Sequence, residues 1–184
     1  MKRIWKLAVI FCMVVPIAVM VFAAQKQTVQ PKKKLQVTIQ PRHMADALYA
    51  VIHGHREVYL KLYSEKTELL SDPCSVFRKN SEAVASKGVE FSYVIRSLKP
   101  IAERNLPETE FEKKALESFT KNSNEPVCAE ELLGGRWYFT AVYPEKATHR
   151  ACVECHNKYG RDKTIKHNEG DVLGGIVIRV ALEL

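Results

Sequence analysis

The sequence lacks several features that would point to other classes of protein. It has no internal repeat and no low-complexity segment, which excludes a repeat array. Aromatic residues make up only 9% of the chain and are not interleaved with arginines, so no nucleic-acid-binding pattern is present. A chain of 184 residues can bury the core of one domain and is too short for a sensor domain plus an output domain. We therefore expect one domain.

Charged residues are absent from Leu7 to Ala24, and three basic residues precede this apolar run. This order is typical of a secretory signal peptide, with cleavage after Ala23 or Ala24. The run also reaches the lower limit of length for a membrane span. We expect residues 1–24 to be either a cleaved signal peptide or an N-terminal anchor in the inner membrane. Either alternative predicts a periplasmic location for the rest of the chain.

The net charge of +7 does not describe the predicted domain, because several basic residues precede it. Residues 25–41 are polar and basic and include Lys32, Lys33 and Lys34. We interpret this segment as a solvated linker, with contact to anionic lipid as the alternative. The domain then covers residues 42–184, in which basic and acidic residues balance, with 21 of each.

Hydrophobic periodicity predicts a mixed α+β domain. Apolar residues recur at three- and four-residue steps in a long first helix, and β-branched residues mark the last strand. The stretch between the last two strands is expected to be a loop. The predicted helices are Met44–Lys66, Val76–Ser86 and Pro107–Lys121, and the predicted strands are Phe91–Leu98, Arg136–Tyr143 and Ile176–Leu182.

Cysteine is scarce, and its placement is informative. Cys12 lies in the targeting segment, which leaves four cysteines for the exported part. Two of them belong to the motif Cys152-Val153-Glu154-Cys155-His156. Two thiols at this spacing add to the two vinyl groups of one porphyrin, and the adjacent histidine reaches the iron. The motif therefore predicts one covalently attached haem c, bound by Cys152 and Cys155 and ligated by His156.

Two alternatives use the same motif. A redox-active Cys-x-x-Cys places its first thiol at the start of a helix after a strand in a βαβ unit, which the preceding residues do not suggest. A zinc site would add His149 or His167 to the motif, although a histidine directly after a cysteine leaves little room for tetrahedral ligation.

Outside the motif, Cys74 and Cys128 either form a disulfide or stay independent, and Cys128 near the iron is a minor alternative.

The second axial position of a haem iron takes His, Met, Cys or Lys, or stays open. His53 and His55 on the long first helix are the main candidates. They point to different sides of a helix, so one of them at most reaches a given iron. Periodicity favours His55, because it shares a stripe with apolar residues. Weaker candidates lie near element ends or beside the motif: His43, Met44 and His149.

Residues 44–184 resemble a known family, the single-haem, PAS-like c-type sensor domains of bacterial periplasmic regions, which also occur as stand-alone proteins. The resemblance depends on the order and spacing of several segments. These are Arg96-Ser97-Leu98-Lys99-Pro100, Arg104-Asn105-Leu106-Pro107, the helix from Glu110 to Leu116, the strand from Tyr138 to Pro144, the haem motif, and Gly170-Asp171-Val172-Leu173-Gly174-Gly175.

The resemblance implies a PAS-like antiparallel sheet flanked by helices, with a long N-terminal helix and the haem between that helix and the sheet. Some members use a cysteine of this helix as the distal ligand, and this helix has none. Aligning the segments favours His53 over His55, against the periodicity, and we follow the resemblance. It also implies that Arg96 and Arg104 lie near the haem propionates, with ordinary surface arginines as the alternative.

Three functional hypotheses follow. The first is redox or small-ligand sensing, for example of a diatomic gas, with the signal passed to a partner protein because no output region follows the domain. The second is a single-haem electron carrier that docks with membrane-bound redox enzymes. The third and least favoured is a peroxidase-type enzyme, which requires an open iron and distal acid-base residues. Two axial histidines would count against catalysis, so we expect a protein that is not an enzyme.

Overall fold

The computed structural model describes residues 39–65, 71–121 and 124–182. These residues form helices around an antiparallel sheet, which confirms the predicted α+β class. The predicted signal peptide or anchor and nearly all of the predicted linker lie outside them. The elements are α1 (Pro41–Glu65), α2 (Pro73–Ala85), β1 (Phe91–Arg96), α3 (Glu110–Phe119), β2 (Val127–Leu133), β3 (Arg136–Lys146), α4 (Arg150–Tyr159) and β4 (Val172–Ala181).

The four strands lie in the order β1-β4-β3-β2, and every neighbouring pair is antiparallel. The last strand of the chain is therefore central. Ile178 of β4 pairs with Tyr93 of β1 on one side and with Ala141 of β3 on the other. Strands β3 and β4 are the longest of the four, with 11 and 10 residues, and they carry most of the sheet's buried side chains.

The sheet separates two apolar cores, because side chains alternate between the faces of a strand. One core lies under α1 and α2 and includes Ala45, Tyr143 and Ile178. The other lies under α3, where Leu116 and Val177 are buried. No helix in the described segments is long and apolar enough to cross a membrane.

Strand β2 was not predicted from the sequence. It joins β3 through Gly134 and Gly135, which have φ angles of 57° and 83°. Two consecutive residues with positive φ are typical of a tight hairpin turn, and glycine adopts them without strain. Two adjacent charged residues, Glu130 and Glu131, weaken the pattern that predicts a strand at β2. The Gly-Gly pair between two apolar runs was the one local signal for a hairpin here.

Candidate functional site

The motif Cys152–His156 lies on helix α4, so the prediction of a loop here is wrong. Neither proline nor glycine interrupts residues 150–159, and Arg150 pairs with Glu154 one turn later at 2.7 Å. Gly160 follows the last helical residue, Tyr159, and its backbone N–H donates to the carbonyl of His156 at 2.8 Å. Helix α4 therefore positions the motif rigidly, directly after β3.

Helical geometry places Cys152 and Cys155 on one side of α4, because residues three apart are neighbours on a helix surface. Cys152 is buried in a small cluster with Leu60 of α1 and Ala147, the residue after β3. Cys155 is half-buried. Both thiols are free, so they are chemically available for addition.

The ring of His156 is half-buried beside the ring of His167, with centroids 5.7 Å apart and planes at 85°. Asn157 holds His167 in place: its amide Nδ2 donates to the carbonyl of His167 at 3.0 Å, and its Oδ1 accepts from the backbone N–H at 2.8 Å. Burial lowers the pKa of His156 to about 4, and the nearby His167 and Arg56 add to the effect. His156 is therefore a neutral imidazole at physiological pH, which is the form that binds a metal.

Across from α4, helix α1 contributes a charged cluster. Glu145 lies near the end of β3, and its side chain is only 7% exposed. Its Oε1 is 3.4 Å from Nδ1 of His53, and its Oε2 is 3.0 Å from Nε of Arg56. The hydrogen bond with Glu145 is the main cause that raises the pKa of His53 above its ordinary value.

Arg56 connects this cluster to the motif. Its guanidinium lies 3.7 Å from Sγ of Cys152 and donates to the carbonyl of Lys146 at 3.3 Å. Burial raises the pKa of Cys152, although the positive charge of Arg56 opposes this shift. A redox-active Cys-x-x-Cys has a lowered pKa at its first thiol. It lies in a βαβ unit, and the two strands of such a unit are parallel. Neither feature is present here, which weakens the redox alternative.

The structure separates the two candidate distal histidines. His53 joins the Glu145 cluster, whereas His55 is exposed and its ring packs against Phe77 of α2 at 6.1 Å. The apolar stripe that favoured His55 is exposed at Val51, Val58 and Leu62. The periodicity argument was therefore wrong about the buried side of α1. Which histidine ligates iron stays a prediction.

Cys74 and Cys128 do not pair. Cys128 packs beside the core under α1, while Cys74 at the start of α2 forms a side-chain hydrogen bond with Cys155. This bond is the main cause that lowers the pKa of Cys155 to about 7, and it raises the pKa of Cys74. A third thiol thus lies against the motif, which the sequence did not indicate.

The structure does not bring Arg96 to the motif. Arg96 is buried on the α3 side of the sheet, 2.5 Å from Glu108 and 3.5 Å from Glu112, and donates to the carbonyls of Arg104 and Leu106. Arg104 is exposed, and in the part of the chain that the structure describes its guanidinium forms no hydrogen bond or ion pair. Their proximity to propionates stays a prediction.

Sequence reasoning gave Arg56 and Glu145 no role beside the motif, and it considered His167 only as a zinc ligand and Cys74 only as a disulfide partner. Arg56 had a detectable signal, since it lies three residues after His53 on the same helix face. The other three come from separate elements and gave no local signal. Within residues 39–65, 71–121 and 124–182, no three His, Cys, Asp or Glu side chains converge as the ligands of a metal ion. The zinc alternative therefore lacks a preformed ligand cluster.

Comparisons with known proteins agree with this architecture. A sequence model of the Tll0287-like family, described as Tll0287, matches residues 18–181. A solved structure, described as that of the cyanobacterial heme protein Tll0287, superposes with a TM-score of 0.53 at 15% sequence identity. The match covers 78% of this chain and 97% of that one, and at this identity it shows a shared fold. No curated protein matches the sequence.

Proposed function

Because the chain belongs to the Tll0287-like family and has its PAS-like fold, we propose that it binds one haem c and acts in redox or small-ligand sensing. Cys152 and Cys155 would hold the haem through thioether bonds, and His156 would ligate its iron. The observation that carries the proposal is the placement of all three residues on α4, with a neutral imidazole at His156.

The residues fit this cofactor by the chemistry of their donor atoms. Two free thiols share one side of a helix, as addition to two vinyl groups requires. Helix α1 faces this region: Arg56 lies 3.7 Å from Cys152, and Glu145 joins Arg56 to His53. A haem supplies an iron that changes oxidation state by one electron. The protein would tune that iron through its axial ligands, burial and nearby charge.

His53 is the distal ligand in this proposal. It is the candidate histidine that shares a cluster with the residues around Cys152, whereas His55 faces α2. For the haem propionates, Arg104 is the available arginine, because Arg96 already contacts two glutamates. Arg104 would neutralise a carboxylate by bidentate hydrogen bonding.

Electron transfer is the second candidate function, and the presence of His53 favours it. Two axial histidines leave no open position on the iron, which suits an electron carrier or a redox sensor better than a receptor for a diatomic gas. An enzymatic role is not part of the proposal, since a peroxidase needs an open iron. The proposal includes export to the periplasm, free or anchored through residues 1–24, and a redox or signalling partner protein.

Spectroscopy of the haem-loaded protein tests this proposal. The full chain would be produced with the bacterial haem c maturation system, and spectra of oxidised and reduced protein would be recorded with and without carbon monoxide. A six-coordinate low-spin spectrum indifferent to carbon monoxide supports redox sensing or electron transfer. A shift on adding carbon monoxide supports sensing of a small ligand. A colourless protein contradicts the haem proposal.

A further inference from the structure

One buried carboxylate contacts two side chains of α1. Glu145 lies near the end of β3, and its Oε1 and Oε2 are 3.4 Å from Nδ1 of His53 and 3.0 Å from Nε of Arg56, respectively. The side chains of Glu145 and Arg56 are 7% and 11% exposed. A buried carboxylate needs a compensating partner, and the guanidinium of Arg56 is in contact with this one. The carboxylate is thus available as an acceptor for an uncharged imidazole.

The other side of the His53 ring is also fixed. Tyr49 stacks on it with centroids 5.3 Å apart and an interplanar angle of 25°. Tyr49 in turn stacks on Tyr143 at 4.1 Å, and the hydroxyl of Tyr143 donates to Asp46 at 2.7 Å. The stack limits rotation of the imidazole plane, and Glu145 selects which ring nitrogen carries the hydrogen.

The same cluster reaches the motif. Arg56, which pairs with Glu145, lies 3.7 Å from Sγ of Cys152, while Thr148 beyond the end of β3 lies 3.3 Å from the same guanidinium. His53 is therefore joined to the region of Cys152 through Glu145 and Arg56. His55, which contacts Phe77, has no such connection.

We propose that Glu145 is a positioning residue for His53: it accepts the Nδ1 hydrogen and so leaves Nε2 free to ligate the iron. The inference rests on the proposed function. A histidine ligand commonly donates its second ring N–H to a carboxylate, which fixes the tautomer and makes the ligating nitrogen more basic. Arg56 holds the other oxygen of the same carboxylate at 3.0 Å. Glu145 thereby strengthens a ligand that stabilises the ferric state.

A double-mutant cycle on the haem-loaded full chain tests this role. Glu145→Gln would be made alone and together with His53→Met, and the midpoint potential and the low-spin electron paramagnetic resonance spectrum would be measured. We expect Glu145→Gln to raise the potential and change the resonance spectrum when His53 is present. In the His53→Met background the potential shift should shrink to the effect of charge alone. Equal shifts in both backgrounds would overturn the proposal.

Two further variants separate the hydrogen bond from charge and from folding. Glu145→Asp keeps the charge but shortens the side chain, so it should change the resonance spectrum as Glu145→Gln does. It also provides the test if Glu145→Gln does not fold. Glu57→Gln removes a neighbouring negative charge that makes no hydrogen bond to His53, and it should leave that spectrum unchanged. A spectrum in Glu145→Asp identical to wild type would contradict the proposal.

The outcomes distinguish this inference from the proposed function. A wild-type chain without covalent haem contradicts the proposed function and the inference together. Haem-loaded wild-type protein whose axial spectrum is unchanged by His53→Met contradicts the inference, because His53 is then not a ligand, and leaves haem binding intact.

Discussion

His53 and His55 are separated by a single residue and contact opposite neighbours: His53 lies 3.4 Å from Glu145 of β3, whereas the ring of His55 packs on Phe77 of α2. Their placement gives the two histidines different expected roles. His53 belongs to the cluster that reaches Cys152, and His55 is exposed. A distal ligand on α1 should therefore be sensitive to one substitution and not to the other.

Replacement of each histidine by alanine tests this expectation. We expect His53→Ala to open the sixth position, so that the reduced protein binds carbon monoxide and its Soret band shifts. His55→Ala is the matched control and should leave the spectrum unchanged, because the ring of His55 packs against Phe77 of α2. Carbon monoxide binding in His55→Ala but not in His53→Ala would reverse the assignment.

The contact between Cys74 and Cys155 predicts a reactive thiol in protein produced without haem. The pKa of Cys155 is lowered to about 7, chiefly by the hydrogen bond with Cys74. The thiolate is the nucleophile, so alkylation of Cys155 by iodoacetamide should rise with pH through about 7 and exceed that of Cys74 and Cys152. Peptide mass spectrometry over a pH series measures this.

Cys74→Ala removes the hydrogen bond and should return the pKa of Cys155 towards its ordinary value. We expect alkylation of Cys155 at neutral pH to slow by roughly tenfold, because the thiolate fraction falls. Cys128 serves as an internal control, since it packs beside the core under α1, away from Cys74, and should react at the same rate in both proteins. An unchanged pH profile of Cys155 would contradict the role of Cys74.

A buried charge cluster under α3 predicts a large loss of stability. Glu112 is fully buried and pairs with Arg96 and Arg179. Glu112→Gln removes the carboxylate that pairs with Arg179 and leaves Arg96 with Glu108 alone, so we expect the free energy of unfolding to fall by about 3–5 kcal/mol. Urea unfolding measures the difference. Exposed Glu110→Gln in the same helix should cost at most about 1 kcal/mol, and equal losses would exclude a special role for the buried cluster.

Gly174 and Gly54 predict opposite responses to alanine. A Cβ at Gly174 would lie 2.3 Å from the carbonyl oxygen of Arg96 on β1, whereas a Cβ at Gly54 in α1 meets nothing within 4 Å. We expect Gly174→Ala to lower the free energy of unfolding by about 1–3 kcal/mol, because β1 and β4 must move apart. Gly54→Ala should raise it by up to about 1 kcal/mol. Thermal unfolding of both variants checks the signs, and a stable Gly174→Ala variant would contradict the close approach.

The sequence predicts where helices and strands occur better than it predicts which face of each one is buried. The order of β1, β3 and β4 and the existence of α1, α2 and α3 follow from periodicity and from proline and glycine at their ends. The buried side of α1 does not follow from periodicity, because the helix also carries an exposed apolar stripe at Val51, Val58 and Leu62. Periodicity measures where apolar residues cluster, and tertiary contacts decide which cluster faces the sheet.

The residues of the candidate site also fall into those that the sequence predicts and those that it does not. Cys152, Cys155 and His156 are predictable because they form one local motif whose spacing has a chemical reason. Glu145 and Cys74 are not predictable as neighbours of the motif, and His167 was considered only as a zinc ligand. These residues come from β3, α2 and the connection after α4 and meet only in the folded chain. The resemblance favours His53 over His55 as the distal ligand, and that choice stays a prediction.

The central claim is covalent attachment of one haem to α4, and intact mass spectrometry tests it most directly. The full chain and its Cys152→Ser/Cys155→Ser variant would be produced with the haem c maturation system and extracted with acidified acetone. The account predicts that the wild-type protein retains a mass increase of one haem and that the double variant loses it. An unmodified mass for the wild-type chain, or haem fully extracted from it, would contradict the account.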